Sequence, residues 1–148
     1  MTQEKLKQFL DACFDAKRLI EDLPDGMKPR QVHVLDAVNE IQKKQGFCRV
    51  SDISSYMNTT LPSITKLVQE LEERNLLVKQ ADEKDKRVIN LTLTEEGKEF
   101  VELRVTHFHG EWASRLPDLD DAVVDEFVHA ITRMQETMPG IKGVKNNG

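Results

Sequence analysis

The sequence predicts a mainly α-helical chain that carries one small β-hairpin. Apolar residues recur three and four apart through most of the 148 residues, the spacing that lines them along one face of a helix. Two short runs, at 76–79 and 88–93, instead cluster or alternate as strands do, the second setting Ile89, Leu91 and Leu93 against Asn90 and Thr92. The stretch between them, 80–87, is almost wholly polar, so the two runs read as the arms of a hairpin with a long charged tip.

The first helix is expected over residues 3–23, where Leu6, Phe9, Leu10, Cys13, Phe14 and Ile20 share a face, and Pro24-Asp25-Gly26 should end it. A second opens at Pro29, since proline is tolerated in a first turn. It carries Val34, Leu35, Val38 and Ile41 to a stop at Gly46. Residues 47–50 read as a short extended piece. Ser51 is placed to cap a third helix with Ile53, Tyr56 and Met57, after which Asn58-Thr59-Thr60 forms a tight turn.

Thr60 is expected to cap the fourth helix. There Ile64, Leu67, Val68 and Leu71 fall at i, i+3, i+4 and i+7, while Pro62, Thr65, Lys66, Gln69 and Glu73 occupy the opposite side. One side packs and the other is left to touch something. After the hairpin, Thr94 caps a long helix with Glu95 and Glu96 at the positive end of its dipole. Val101, Val105, Phe108 and Trp112 give that helix an apolar stripe, and Pro117 stops it. The last helix starts near Asp120 and repeats Val123, Val124, Phe127, Val128, Ile131, Met134 and Met138, a stripe that requires cover. Residues 139–148 are expected to fray. Repeats, low-complexity tracts and a splitting linker are absent from the sequence. The chain is therefore expected to be one compact unit with segments 1–28, 29–94 and 95–148.

Composition narrows the function. No apolar run approaches the roughly 20 residues of a membrane helix, and the polar start lacks a secretion signal, so a cytoplasmic location without membrane contact is expected. Cys13 and Cys48 form no CxxC pair and are expected to be reduced thiols that pack as small hydrophobes. Glycine-rich phosphate loops, GxSxG, HExxH and EF-hand patterns are all missing, which argues against an enzyme and against any cofactor. His107 and His109, two apart on a helix, point in different directions and do not share an ion; no metal is expected. Two sensor arrangements stay open. One is a metal site joining His107 and Glu111 with His33 or a cysteine, and the other is a redox role for Cys13 near Lys17 and Arg18.

The net charge of −5 argues against indiscriminate binding of polyanions. Between Ser51 and Thr92 seven acidic residues face six basic ones, so any positive surface must come from arrangement. The order helix, turn, helix, hairpin is that of a winged helix-turn-helix, which inserts its second helix in the major groove and lays its hairpin tip along the neighbouring backbone or minor groove. Thr60, Ser63 and Thr65 are suited to phosphates at the helix N-terminus. Lys66 and Gln69 are suited to base edges. Lys84, Lys86 and Arg87 supply cations from the wing, and Asp85 is placed to hold the Arg87 guanidinium in a fixed pose.

In one place these residues resemble the multiple antibiotic resistance regulator (MarR) family. The resemblance lies in Leu71-Glu72-Glu73-Arg74-Asn75-Leu76-Leu77, then Asp85-Lys86-Arg87, and then the run from Leu91-Thr92-Leu93-Thr94 through Glu95-Glu96-Gly97. Weaker similarity covers nearly the whole chain, including Pro29-Arg30-Gln31. The resemblance implies a transcription regulator, most often a repressor. It implies a homodimer built from the first and last helices and a palindromic double-stranded DNA operator. It also implies a small phenolic or lipophilic effector, whose binding residues the sequence does not assign.

The chain departs from the family pattern in three places. Asn75 replaces a usual glycine, Leu61 a commonly polar residue at the start of the recognition helix, and Gln80 a frequent arginine. Redox-sensing relatives pair their first-helix cysteine with tyrosines that are missing here, and zinc-sensing relatives carry denser histidine and acidic clusters. The acidic balance and Leu61 keep open a winged-helix protein-interaction module without DNA binding.

Overall fold

A computed structural model describes residues 1–17, 23 and 26–140. Packing divides the chain into Met1–Phe108 and His109–Gly148. In the first unit the elements run α1 (Gln3–Lys17), α2 (Pro29–Gln45), α3 (Val50–Tyr56), α4 (Leu61–Glu73), β1 (Leu77–Ala81), β2 (Ile89–Leu93) and α5 (Glu95–Val101). A π-helical stretch, Glu102–His107, leads into α6 (Phe108–Ser114), and α7 (Asp121–Thr137) follows in the second unit. The expected end of the first helix, including Ile20, Pro24 and Asp25, lies outside the described residues, as do residues 141–148 of the expected tail.

The core of the first unit is made by the apolar faces read from the sequence. Val34, Leu35, Val38 and Ile41 of α2 meet Ile53 of α3, Ile64, Leu67, Val68 and Leu71 of α4, and Leu77, Leu91 and Leu93 of the hairpin. Truncating one of the fully buried members, such as Leu35 or Ile64, to alanine costs about 2–5 kcal/mol. Gln31 is the one buried polar side chain among the described residues. Its carbonyl oxygen accepts the Lys28 N–H at 2.9 Å, and its amide donates to Glu70 at 2.8 Å, which ties the start of α2 to α4.

Chain direction changes where the backbone can afford it. Gly46 ends α2 in the left-handed region, φ 83°, with its N–H on the Gln42 carbonyl at 2.8 Å. Asn58 (φ 49°) turns α3 toward α4, and Asn75 (φ 59°) turns α4 toward β1. Asparagine therefore does at position 75 what glycine does elsewhere.

Several local expectations are corrected. The third helix is entered two residues earlier, because Arg49 is its cap position and Asp52, not Ser51, accepts the Arg49 N–H at 2.9 Å. Residues 47–50 form no strand of the sheet, although the Cys48 carbonyl accepts the Leu91 N–H at 2.7 Å, a single rung beside β2. The first arm of the hairpin extends past Lys79 to Ala81, in the register Leu77 with Leu93 and Ala81 with Ile89. The ladder persists because the turn is nucleated only at Asp82. Cys48 is buried as expected, but Cys13 is exposed on α1.

In the second unit Asp120 caps α7 by accepting the Val123 N–H at 2.9 Å. The stripe from Val123 to Met138, for which the sequence demands cover, lies largely in solvent on the single chain; Phe127 is 49% exposed. On α1, Leu6, Leu10 and Phe14 are likewise exposed.

Candidate nucleic-acid interface

α4 presents the two sides its sequence spells. Ile64, Leu67, Val68 and Leu71 are buried, while Pro62, Thr65, Lys66, Gln69 and Glu73 face solvent. Thr60 stands at the cap position in extended conformation, yet its hydroxyl accepts no backbone N–H. It donates to Ser63 Oγ at 3.0 Å instead. The Thr65 hydroxyl donates back to the Leu61 carbonyl at 2.9 Å. Two of the three expected phosphate donors thus spend their hydrogens inside the protein. Ser63, which accepts from Thr60, keeps its own.

The wing tip is organised by two carboxylates. Asp82 accepts the backbone N–H groups of Lys84 at 2.9 Å and Asp85 at 3.1 Å, and the Asn90 amide at 3.1 Å. These bonds, the Lys84 N–H foremost, hold its carboxyl below the usual carboxylate range. Asp85 takes the Arg87 guanidinium in a two-pronged grip, Nε to Oδ1 and Nη2 to Oδ2, both at 3.1 Å, and also accepts the Arg87 backbone N–H at 3.1 Å. The guanidinium is first among the causes that lower the Asp85 pKa. The Arg87 side chain remains 91% exposed. It is anchored from behind and open in front.

Lys84 and Lys86 are exposed on the same tip, and Lys66 and Gln69 on α4. Lys79, by contrast, pairs with Glu72 at 2.8 Å. Sequence reasoning missed three contributors. Arg30, exposed in the first turn of α2, donates to Thr59 Oγ1 at 3.0 Å and so brings a cation to the turn just before α4. Arg49, stacked 4.8 Å over the Phe47 ring, helps hold both wing carboxyls ionised. Asp82 builds the tip itself. An aspartate two and three residues before the N–H groups it accepts is a recognisable turn signal; the long-range Arg30 contact left none in the local sequence. His33, His107 and His109 are exposed, and no group of three or more His, Cys, Asp or Glu side chains able to hold a metal occurs among the described residues.

A three-helix arrangement with α4 exposed on one side and a twisted two-strand wing beside it defines a winged helix-turn-helix protein. Residues 25–88, which take in the helix-turn-helix and the wing tip, match the MarR family. The chain is 38% identical over 72 residues to the HTH-type transcriptional repressor MdtR of Bacillus subtilis (strain 168), a match that takes in 49% of this chain and 44% of that protein's length. The fold extends further. A structure of Bordetella bronchiseptica BpsR superposes with a TM-score of 0.69 at 23% identity, covering 92% of this chain and 96% of that one. A Staphylococcus aureus MepR–DNA complex does so with a TM-score of 0.66 at 20% identity, covering 94% and 99%.

Proposed function

We propose that the chain is a sequence-specific DNA-binding transcription regulator, a cytoplasmic repressor that works as a homodimer on a palindromic operator and is released by a small phenolic or lipophilic effector. The observation that carries this reading is the exposed polar side of α4 beside a wing whose outward guanidinium is fixed by Asp85. Lys66 and Gln69 reach base edges, Ser63 and the turn-bound Arg30 take phosphates, and Lys84, Lys86 and Arg87 lie along the neighbouring backbone. Thr60 and Thr65 shape the start of the helix more than they donate. A second copy covers the exposed stripes of α1 and α7, which are too apolar to stay in water.

The relatives support repression, DNA binding and effector control separately. MdtR is a repressor, MepR has been seen on DNA, and the DNA binding of BpsR is regulated by 6-hydroxynicotinic acid. The test is titration of the purified dimer against the DNA upstream of its own coding sequence at two salt concentrations, with and without aromatic acids and phenols. Binding that weakens steeply with salt supports the proposal. No shift in any condition favours instead a winged-helix protein-interaction module.

A further inference from the structure

We infer that Leu61 reads the C5-methyl group of a thymine, so that α4 selects a T at one fixed position in each half-site. The inference rests on the DNA reading proposed above. Leu61 opens α4 and is 50% exposed, although the four apolar residues that follow it on the inner side of the same helix are all buried. Such a side chain adds little to folding. At intervals of four, Leu61, Thr65 and Gln69 share one stripe of the helix, the stripe that faces out. Its first turn is pinned, because the Leu61 carbonyl holds the Thr65 hydroxyl at 2.9 Å.

The surroundings say what covers it. Arg30 lies on Thr59, two residues before Leu61, and Ser63 and Lys66 follow within two turns, all suited to a polyanion. An apolar group flanked by phosphate-binding chemistry needs an apolar partner that lies between phosphates. In the major groove the one such feature of the four base pairs is the thymine methyl. Residues near the N-terminus of a recognition helix are those that meet base edges. Leu61 and Gln69 are about 12 Å apart along the helix axis, roughly three to four base-pair steps at about 3.4 Å each. Gln69 and Leu61 therefore read different pairs.

The test begins with selection of preferred duplexes from a random pool by the full chain. Each thymine of the selected duplex is then replaced singly by deoxyuridine, which keeps every hydrogen-bonding edge and removes only the methyl. Affinities are measured for the wild type and for Leu61→Ala. One position per half-site should weaken the wild type about fourfold, the effect of one unburied methyl, and should leave Leu61→Ala unchanged. Because Leu61 is exposed, the variant should keep its affinity for unrelated duplex, which shows that it is folded. If no substitution costs the wild type more than twofold, or if the variant shows the same loss, Leu61 does not read a methyl although the DNA reading stands. If selection enriches no duplex, both fall.

Discussion

Gly97 offers a test of the hairpin-to-helix junction in which two effects of one methyl group oppose each other. Its N–H is held by Thr94 Oγ1 at 3.0 Å. A Cβ at this position lies 2.1 Å from the Leu76 carbonyl oxygen and 3.1 Å from its carbon. The carbonyl cannot swing aside cheaply. It accepts the Thr94 N–H at 3.1 Å, and it follows Asn75, whose left-handed backbone already makes the turn out of α4. Since contacts of a Cβ essentially never fall under 3.0 Å, α5 and the turn must part by about 1 Å. Such overpacking costs about 1–3 kcal/mol, and a backbone neighbour puts it at the upper end. Alanine recovers about 1 kcal/mol of helix propensity over glycine, leaving a net loss of about 1–2 kcal/mol. With a urea slope of about 2 kcal/mol/M, the midpoint of Gly97→Ala should fall by about 0.5–1 M. The assay is urea unfolding followed by circular dichroism at one fixed protein concentration, which the proposed dimer makes necessary. Gly110, in α6, is the control: nothing lies within 4 Å of its added Cβ, so Gly110→Ala should shift the midpoint upward. A Gly97→Ala midpoint raised as far as that of Gly110→Ala would refute the close approach, because only the propensity gain would then remain.

Thr94→Ala removes both the cap to the Gly97 N–H and the hydroxyl donated to the Asn75 carbonyl at 2.7 Å. It should cost about 1–2 kcal/mol, read as a melting temperature lower by about 3 °C or more. Cys48 supplies a pH dependence: burial, with Asp52 adding to it, pushes the thiol from 9.0 up to about 12. The folded state then holds a proton that the unfolded chain has lost, so this contribution is complete below pH 9. It is lost at up to about 1.4 kcal/mol per pH unit between 9 and 12. A denaturation series over that range should show the slope in the parent and not in Cys48→Ala. In DNA titrations, Arg87→Ala should weaken binding to every sequence and lower the salt slope by about 1 per wing. Asp85→Asn should weaken binding less and keep the slope, since it frees the guanidinium without removing its charge. Equal loss of slope in both would show that Asp85 does more than orient.

The parts of this fold that were legible in the sequence are those set by local periodicity and local backbone chemistry. The inner side of α4, the cap at Thr94, the Asn75 turn and the Asp85–Arg87 pair all involve residues within a few positions of each other, or a pattern repeated along one element. What was not legible depends on competition or on distance. Ser51 and Asp52 both suit a cap, and the charged oxygen took the Arg49 N–H, which moved the start of α3. Thr60 and Thr65 carry the right hydroxyls, but Ser63 Oγ and the Leu61 carbonyl take their hydrogens within the protein. Arg30 came to the site through a contact with Thr59 on another element, for which no local pattern exists. Cys13 read as packed because its helix face is apolar, yet among the described residues it and its neighbours Leu6, Leu10 and Phe14 are exposed.

The acidic balance, which weighs against nucleic acid when taken as a total, changes meaning once the charges have positions. Residues 109–148 hold seven acidic and four basic side chains, so −3 of the −5 lies outside the winged unit. Of the seven acids between Ser51 and Thr92, five are turned onto partners within the protein. Asp52 lies on the Arg49 N–H, Glu70 on Gln31, Glu72 on Lys79, Asp82 on two backbone N–H groups of the tip, and Asp85 on Arg87. Lys66, Lys84, Lys86 and Arg87 are exposed. Asp82 and Asp85 are consumed in building the tip that holds Lys84, Lys86 and Arg87 outward. The same residues that lower the net charge therefore fix the shape of the positive face, and removing Asp82 or Asp85 to make the domain more basic would loosen the wing that presents it.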